Sequence, residues 1–230
     1  MNLTVPDKTR CELKFVANEL EYHRFRHWLQ LHPACFCQEH PERQVNNIYF
    51  DSLNHDSYSD NIYGSSSRIK VRYRWYGPST QPIEGALEIK CKRNQFTWKL
   101  IYKLDQFPDG RDKEWKELRK EMIARLPDEA RQWMDANQVT VLINRYKRKY
   151  FTSKNEQIRI TLDADLSVYD QTRQPFPNYS LKTNTPKIFV LEVKFPRELR
   201  DEASTIIRDI PIRASRHSKY IAGFHSINGC

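Results

Sequence analysis

Glycine is scarce in this sequence, with six in 230 residues. Gly64 and Gly77 are isolated, so the chain carries no glycine-rich loop able to cradle phosphates with backbone amides, and a low-complexity or disordered reading is excluded. Long apolar runs are also missing. Nothing approaches the roughly 18 to 20 consecutive apolar residues that span a bilayer, and the start, Met1 to Thr9, has no apolar signal core. The five cysteines, Cys11, Cys35, Cys37, Cys91 and Cys230, are odd in number. The pair around Phe36 has no second pair with which to complete a zinc site, so reduced thiols in a cytoplasmic protein are expected. No Ser-His-Asp or Cys-His arrangement emerges from the spacing. No linker or internal repeat interrupts the chain, and one domain over residues 1–230 is the expectation.

What the sequence does have is charge and alternation. Lys and Arg number 38 against 29 Asp and Glu, a net charge of +9 that calls for an anionic partner. Period-2 alternation predicts strands at Arg10 to Ala17, Gln44 to Phe50, Arg68 to Tyr76, Ala86 to Lys92, Thr97 to Lys103, Thr140 to Thr152, Gln157 to Leu162 and Ile188 to Phe195. Turns at Arg93-Asn94-Gln95 and Ser153-Lys154-Asn155-Glu156 make their flanking strands antiparallel. Helical spacing fits Glu19 to Leu31, Asp112 to Leu126, Asp128 to Ala136 behind Pro127, and Arg197 to Arg208, with a last short helix near Ser218. The expected fold is α+β, an eight-stranded antiparallel β-barrel with helices outside.

Strand parity sorts the side chains. Arg68, Lys70, Arg72 and Arg74 share one face and Ile69, Val71, Tyr73 and Trp75 the other. Arg10, Glu12 and Lys14 oppose Cys11, Leu13 and Phe15; Glu88, Lys90 and Lys92 oppose Leu87, Ile89 and Cys91; Arg159, Thr161 and Asp163 oppose Ile158, Ile160 and Leu162; Glu192 and Lys194 oppose Leu191, Val193 and Phe195. A solvated sheet face accounts for one such strand. Cations at consecutive same-face positions on several strands repel unless an anion sits among them, and the arginine fork suits phosphate oxygens. Glu12, Glu88 and Glu192 either pair with Lys14, Lys90 and Lys194 or complete an oxygen shell for Mg²⁺ or Mn²⁺.

The aromatics test nucleic acid as the partner. A single-strand binder stacks bases on rings beside its cations, whereas Tyr73 and Trp75 point away from Arg72 and Arg74, which argues against it. His23 and His27 lie four apart on a helix but lack an acidic third ligand, and read as a surface pair; His217, beside Arg216 to Lys219, is the one histidine kept as a site neighbour. Asp51, Asp56 and Asp60 read as turn and cap residues, and Asp163 as ending its strand.

The motifs Arg10-x-Glu12-x-Lys14, Lys70-x-Arg72-x-Arg74, Glu88-x-Lys90-x-Lys92, Glu192-x-Lys194 and Ser218-Lys219-Tyr220, with Arg145 and Arg159 between them, resemble in order and spacing a VTC domain, the polyphosphate-polymerase branch of the triphosphate tunnel metalloenzymes. The resemblance implies an eight-stranded tunnel with a charged interior that binds ATP or another triphosphate with Mn²⁺ or Mg²⁺ and moves the γ-phosphoryl group onto polyphosphate. It places Lys14, Arg72, Arg74, Lys90, Arg145, Arg159 and Lys219 at phosphate contacts, with Arg216 and Ser218 beside Lys219, and Arg10, Lys70 and Lys194, on the same face by parity, complete the expected phosphate-binding set. Lys14, Arg72, Arg74 and Glu192 would carry catalysis, Glu192 as metal ligand assisted by Glu12.

Hydrolases of that superfamily resemble one another in an E-x-E-x-K signature on the first strand. Arg10 replaces its first glutamate here, which counts against a second metal and against a simple triphosphatase. A triphosphatase and a non-catalytic polyphosphate or nucleotide binder remain the alternatives. Eukaryotic relatives are joined to membrane segments; this sequence has none, and a soluble prokaryotic relative is the expectation.

Overall fold

The computed structural model describes residues 6, 10–94, 96–110 and 112–229. Cys230, Gln95 of the first turn and residues 1–9 other than Pro6 lie outside the described residues. Eight strands and six α-helices follow in the order β1 (Arg10–Asn18), α1 (Glu19–Leu31), β2 (Cys37–Asp51), α2 (Asp56–Ile62), β3 (Ser67–Tyr76), β4 (Gly85–Arg93), β5 (Phe96–Leu104), α3 (Trp115–Ala124), α4 (Asp128–Ala136), β6 (Val139–Thr152), β7 (Arg159–Asp170), β8 (Ile188–Pro196), α5 (Arg200–Arg208) and α6 (Lys219–Asn228). The strands form one antiparallel sheet in the order β1-β8-β7-β6-β2-β3-β4-β5. The α+β class and the eight antiparallel strands are those expected.

Two compact units divide the chain, one of Met1–Arg43, Tyr146–Leu166 and Pro186–Ser218, the other of Gln44–Arg145, Ser167–Thr185 and Lys219–Cys230. In the first unit, the apolar faces of β1, β7 and β8 meet two helices. Phe15, Ile160, Leu162, Leu191 and Val193 pack with Phe25 and Leu29 of α1 and Ala203 and Ile206 of α5. Removing such side chains from water stabilises by about 1.5–3 kcal/mol each. Asn18 starts α1 through a capping box: its Oδ1 accepts from the Leu20 and Glu21 amides, and Glu21 Oε2 accepts from the Asn18 amide at 3.1 Å. The Ser153 to Glu156 turn closes with the Glu156 amide donating to the Ser153 carbonyl at 2.7 Å.

In the second unit, β3, β4 and β5 form a meander. Val71 pairs with Ile89 and Tyr73 with Leu87 on a face where all four are fully buried. Tyr73 also packs on Phe107, with ring centroids 4.8 Å apart. Helix α6 lies close to the strands because residue 223 is glycine; a Cβ there would stand 2.9 Å from Leu142 Cδ2.

Four elements differ from the sequence reading. Strand β2 begins at Cys37, before Gln44, and those added residues are all exposed, so no alternation marks them. Helix α2 occupies a stretch read as turns, although Asp51 is the expected cap, accepting from the Ser52, Ser57 and Tyr58 amides. Helix α3 begins at Trp115, after Asp112 at φ 60°. Strand β7 runs on to Asp170, so Asp163 sits within it and does not end it.

Replacing Asn18 with alanine removes the side-chain half of the cap and should lower stability by about 1 kcal/mol. Urea unfolding followed by far-UV circular dichroism measures this as a lower midpoint at unchanged slope.

Candidate functional site

In the second unit the register sets the charged side chains in cross-strand rows. Asn47 faces Arg74, then Ala86 and Lys103; Tyr49 faces Arg72, then Glu88 and Ile101; Lys70 faces Lys90, then Lys99; Arg68 faces Lys92, then Thr97. One carboxylate, Glu88, lies amid these cations. Arg72 donates to Glu88 Oε2 through Nε at 2.9 Å and through Nη2, while Arg74 Nη1 and Lys99 Nζ stand 3.5 and 3.8 Å away. Burial alone would push the Glu88 carboxyl up, but Arg72, Arg74 and Lys99 outweigh it and hold the group well below the ordinary carboxylate range.

The same arginines are held from behind. Arg74 Nε donates to Asn47 Oδ1 at 2.8 Å, and Asn47 Nδ2 donates to Asn144 Oδ1 at 2.8 Å. Arg72 Nη1 donates to the Tyr49 hydroxyl, and the Tyr49 ring stacks on Tyr220 of α6, whose hydroxyl donates to Asp51. Helix α6 thus lies on the charged side of β2, with Lys219 as its first residue.

In the first unit the centre is Glu192. Lys14 faces it across the β1–β8 ladder and Glu12 faces Lys194. Lys194 Nζ stands 2.9 Å from Glu192 Oε2, Lys14 Nζ 3.3 Å from both Glu192 Oε1 and Glu12 Oε1, and Arg148 Nη2 3.9 Å from Glu192 Oε2. Burial would lower the Lys14 pKa, but Glu192 and Glu12 reverse that and raise it. Arg148 forms a two-pronged bond with Asp163, through Nε to Oδ1 and through Nη2 to Oδ2 at 2.6 Å. Lys14 also donates to the His217 carbonyl at 3.0 Å, and the Ser215 amide donates to the Lys14 carbonyl. This draws the Ala214 to Ser218 segment alongside β1.

Parity placed nearly all the expected residues. Lys70, Arg72, Arg74 and Lys90 share the face in the second unit, while Glu12, Lys14, Glu192 and Lys194 share the one in the first. Arg10 and Arg159 stand exposed on the same faces of their strands, opposite Pro196 and Lys194, and Arg216 is exposed while Ser218 is half-buried. Arg145 is a correction. Its Nε donates to Asn46 Oδ1 at 2.8 Å and its Nη2 to the Pro78 carbonyl, and Asn46 points to the opposite side of β2 from Asn47. Arg145 therefore leaves the charged face.

Sequence reasoning missed Arg148, Asp163 as its partner, Lys99, Asn47 and Asn144. Lys99 carried a readable signal, since Thr97, Lys99, Ile101 and Lys103 alternate against Trp98, Leu100 and Tyr102. The polar pair Asn47 and Asn144, both fully buried, had no periodic mark.

The VTC domain family matches residues 9–228, nearly the whole sequence. The chain belongs to that family. Its fold is shared with a candidate adenylate cyclase from Vibrio parahaemolyticus, at 10% identity and a TM-score of 0.51, over 94% of this chain and 98% of the other. It is also similar to the PH1819 protein of Pyrococcus horikoshii, at 14% identity and a TM-score of 0.48, over 93% and 96%. A search of the curated proteins returns no match. Among the described residues no helix is long and apolar enough to cross a membrane.

Among the described residues of this VTC domain no three His, Cys, Asp or Glu side chains gather as a ready-made metal cage. A hard divalent cation that borrows most of its shell from phosphate oxygens and water needs one or two carboxylates. Glu192 and Glu12 fit that requirement, because both already share one cation, the Lys14 ammonium. Beside Glu192 on β7, the Thr161 hydroxyl is buried without a hydrogen-bond partner among the described residues.

Replacing Asp163 with alanine strands a buried guanidinium and should cost about 3–5 kcal/mol. Replacing Arg148 and Asp163 together by methionine and leucine should cost clearly less, and a double-mutant cycle by urea unfolding measures the difference. The depressed pKa of Glu88 also fixes a sign. Its contribution to stability is full above the ordinary carboxylate range and is lost as pH falls through and below it. Melting temperature should drop on acidification below about pH 4.5, more steeply in the native protein than in Glu88→Gln.

Proposed function

We propose that this VTC domain is a polyphosphate polymerase-like phosphotransferase that takes the γ-phosphoryl group of ATP onto the end of a phosphate chain, releasing ADP. The observation that carries the reading is the one-sided cationic face of the second unit, where Arg68, Lys70, Arg72, Arg74, Lys90, Lys92, Lys99 and Lys103 stand in neighbouring rows and Arg72, Arg74 and Lys99 gather at the Glu88 carboxylate. Such a face suits a linear polyanion better than a base-reading groove, because Tyr73 and Trp75 are buried on the other side and the rings on the charged side, Tyr49 and Tyr220, are buried against each other.

Phosphoryl transfer asks the protein for position and charge neutralisation more than for a nucleophile. The terminal oxygen of a phosphate chain is already anionic at neutral pH and attacks the γ-phosphorus as the bond to the ADP oxygen breaks. Arg72 and Arg74, anchored by Glu88, Tyr49 and Asn47, would orient phosphate oxygens; Lys70, Lys90 and Lys99 would offset the repulsion between donor and acceptor chains. In the first unit Glu192, assisted by Glu12, would hold Mn²⁺ or Mg²⁺, and Lys14, Lys194 and Arg148 would balance the carboxylates. When bound, the divalent ion neutralises phosphate oxygens and polarises the reacting group.

Transfer is favoured over hydrolysis by the first strand. Water needs a base, and Arg10 stands where the related hydrolases have a glutamate, while Glu12 is engaged by Lys14.

Purified protein incubated with ATP and Mn²⁺ should lengthen polyphosphate on a gel while releasing ADP. Release of orthophosphate without chain growth would instead mark a triphosphatase, release of pyrophosphate with cyclic AMP a cyclase like the Vibrio relative's description, and binding without turnover a polyphosphate carrier. Glu192→Ala should lower turnover by at least a hundredfold while tripolyphosphate binding persists; turnover at the native rate would refute the metal assignment.

A further inference from the structure

The second unit contains another basic place that none of the residues above line. Helix α3 carries Lys116, Arg119 and Lys120 at spacings of three and four, so all three share one side of the helix with Ile123. They line a cavity of about 460 Å³, together with Trp115, Gln138 and Thr140, and no acidic residue is part of the lining. The volume is in the range of small-molecule pockets and exceeds what one phosphate group fills.

Like charges at these helical spacings repel one another, and among the described residues neither Lys116 nor Lys120 forms an ion pair. A solvated stripe would explain the two lysines, which are exposed. It does not explain what lies deeper. Arg119 Nη2 donates to the Met134 carbonyl at 2.8 Å and its guanidinium lies 5.3 Å over the Phe50 ring, yet Nη1 is buried without a hydrogen-bond partner among the described residues. Thr140, 6% exposed, has its hydroxyl oxygen buried and equally without a partner. Burial pulls the Arg119 pKa down to about 10, against the opposing effect of Asp135, so the group remains charged at neutral pH. A guanidinium nitrogen and a hydroxyl, both desolvated and both able to donate, thus belong to residues that line one cavity whose rim is cationic. Buried donors are nearly always satisfied, and a phosphate oxygen satisfies both at once.

We propose that this cavity is a second phosphate-binding site, in which Arg119 and Thr140 hold one phosphate group of an inorganic oligophosphate and Lys116 and Lys120 neutralise the groups that follow it. The site is separate from the charged faces of the sheet, and its occupation does not depend on whether those faces catalyse transfer.

Calorimetric titration of the full chain with inorganic tripolyphosphate tests this. Two binding sites per chain are expected in the native protein and one in Lys116→Ala/Lys120→Ala, whose exposed substitutions leave the cores untouched. Thr140→Val, which keeps the side-chain shape, should weaken the second site severalfold, and it carries the test if the double variant melts early. Orthophosphate should bind there at least tenfold more weakly than tripolyphosphate, and equal affinities would overturn the assignment to a chain. Identical stoichiometry and affinity in the native protein and both variants would overturn the site itself. A single site that the double variant abolishes would instead leave this site standing and remove the phosphate binding proposed for the sheet.

Discussion

The structure depends on holding many like charges on one side of a sheet. Cross-strand lysines and arginines raise one another's energy at the spacing of a β-ladder, and Lys70, Lys90 and Lys99 stand in one such row. The fold offsets the repulsion locally with buried carboxylates. Glu88 draws in Arg72, Arg74 and Lys99 in the second unit, while Glu192 draws in Lys14, Lys194 and Arg148 in the first. The apolar side of the same strands supplies the burial that keeps these ion pairs from being the main source of stability. That division of labour matters, because a buried pair returns little net stability while losing one partner of it is costly.

Both sides of this arrangement were legible in the sequence because a strand repeats every two residues. Parity alone put Arg72 with Arg74 and Glu192 with Lys194, and it put Tyr73 and Trp75 on the buried side. It worked wherever the two faces of a strand differ in chemistry. It failed where they do not. The Cys37 to Arg43 start of β2 is exposed throughout, so no contrast reveals the strand, and the Asn46-Asn47 pair is buried on both sides with the same residue type.

Arg145 shows the limit most clearly. Order and spacing matched it to a phosphate contact, yet strand β6 turns it towards Asn46 and Pro78, whereas Asn144 and Arg148 meet charged-face partners. Absolute facing within a long strand depends on which neighbours its cross-strand partners are, and that is a long-range fact. The Arg148–Asp163 fork joins strands through residues 15 apart in the chain, whereas the length of β7 was readable, because Ala164, Leu166 and Val168 continue the apolar alternation of Leu162 beyond Asp163.

The arginines and lysines of the second unit are not equivalent, and their surroundings say why. Arg74 is 5% exposed and bound at its Nε by Asn47, whose own amide is fixed by Asn144; Arg72 is bound by Glu88 and Tyr49, and Tyr49 is braced by Tyr220. Each guanidinium has been given its orientation before any ligand arrives, so a phosphate meeting it need not restrict a flexible side chain. The lysines of the neighbouring rows are half-buried or exposed and end in a compact, rotatable charge. Fixed guanidinium groups discriminate position, and mobile ammonium groups follow charge. Under the proposed transfer, a phosphate chain that advances while one of its groups reacts would use both. The reacting group would be served by rigid donors, since preorganised charge does not have to rearrange as the transition state forms, and the rest of the chain by contacts that release it as easily as they bind it.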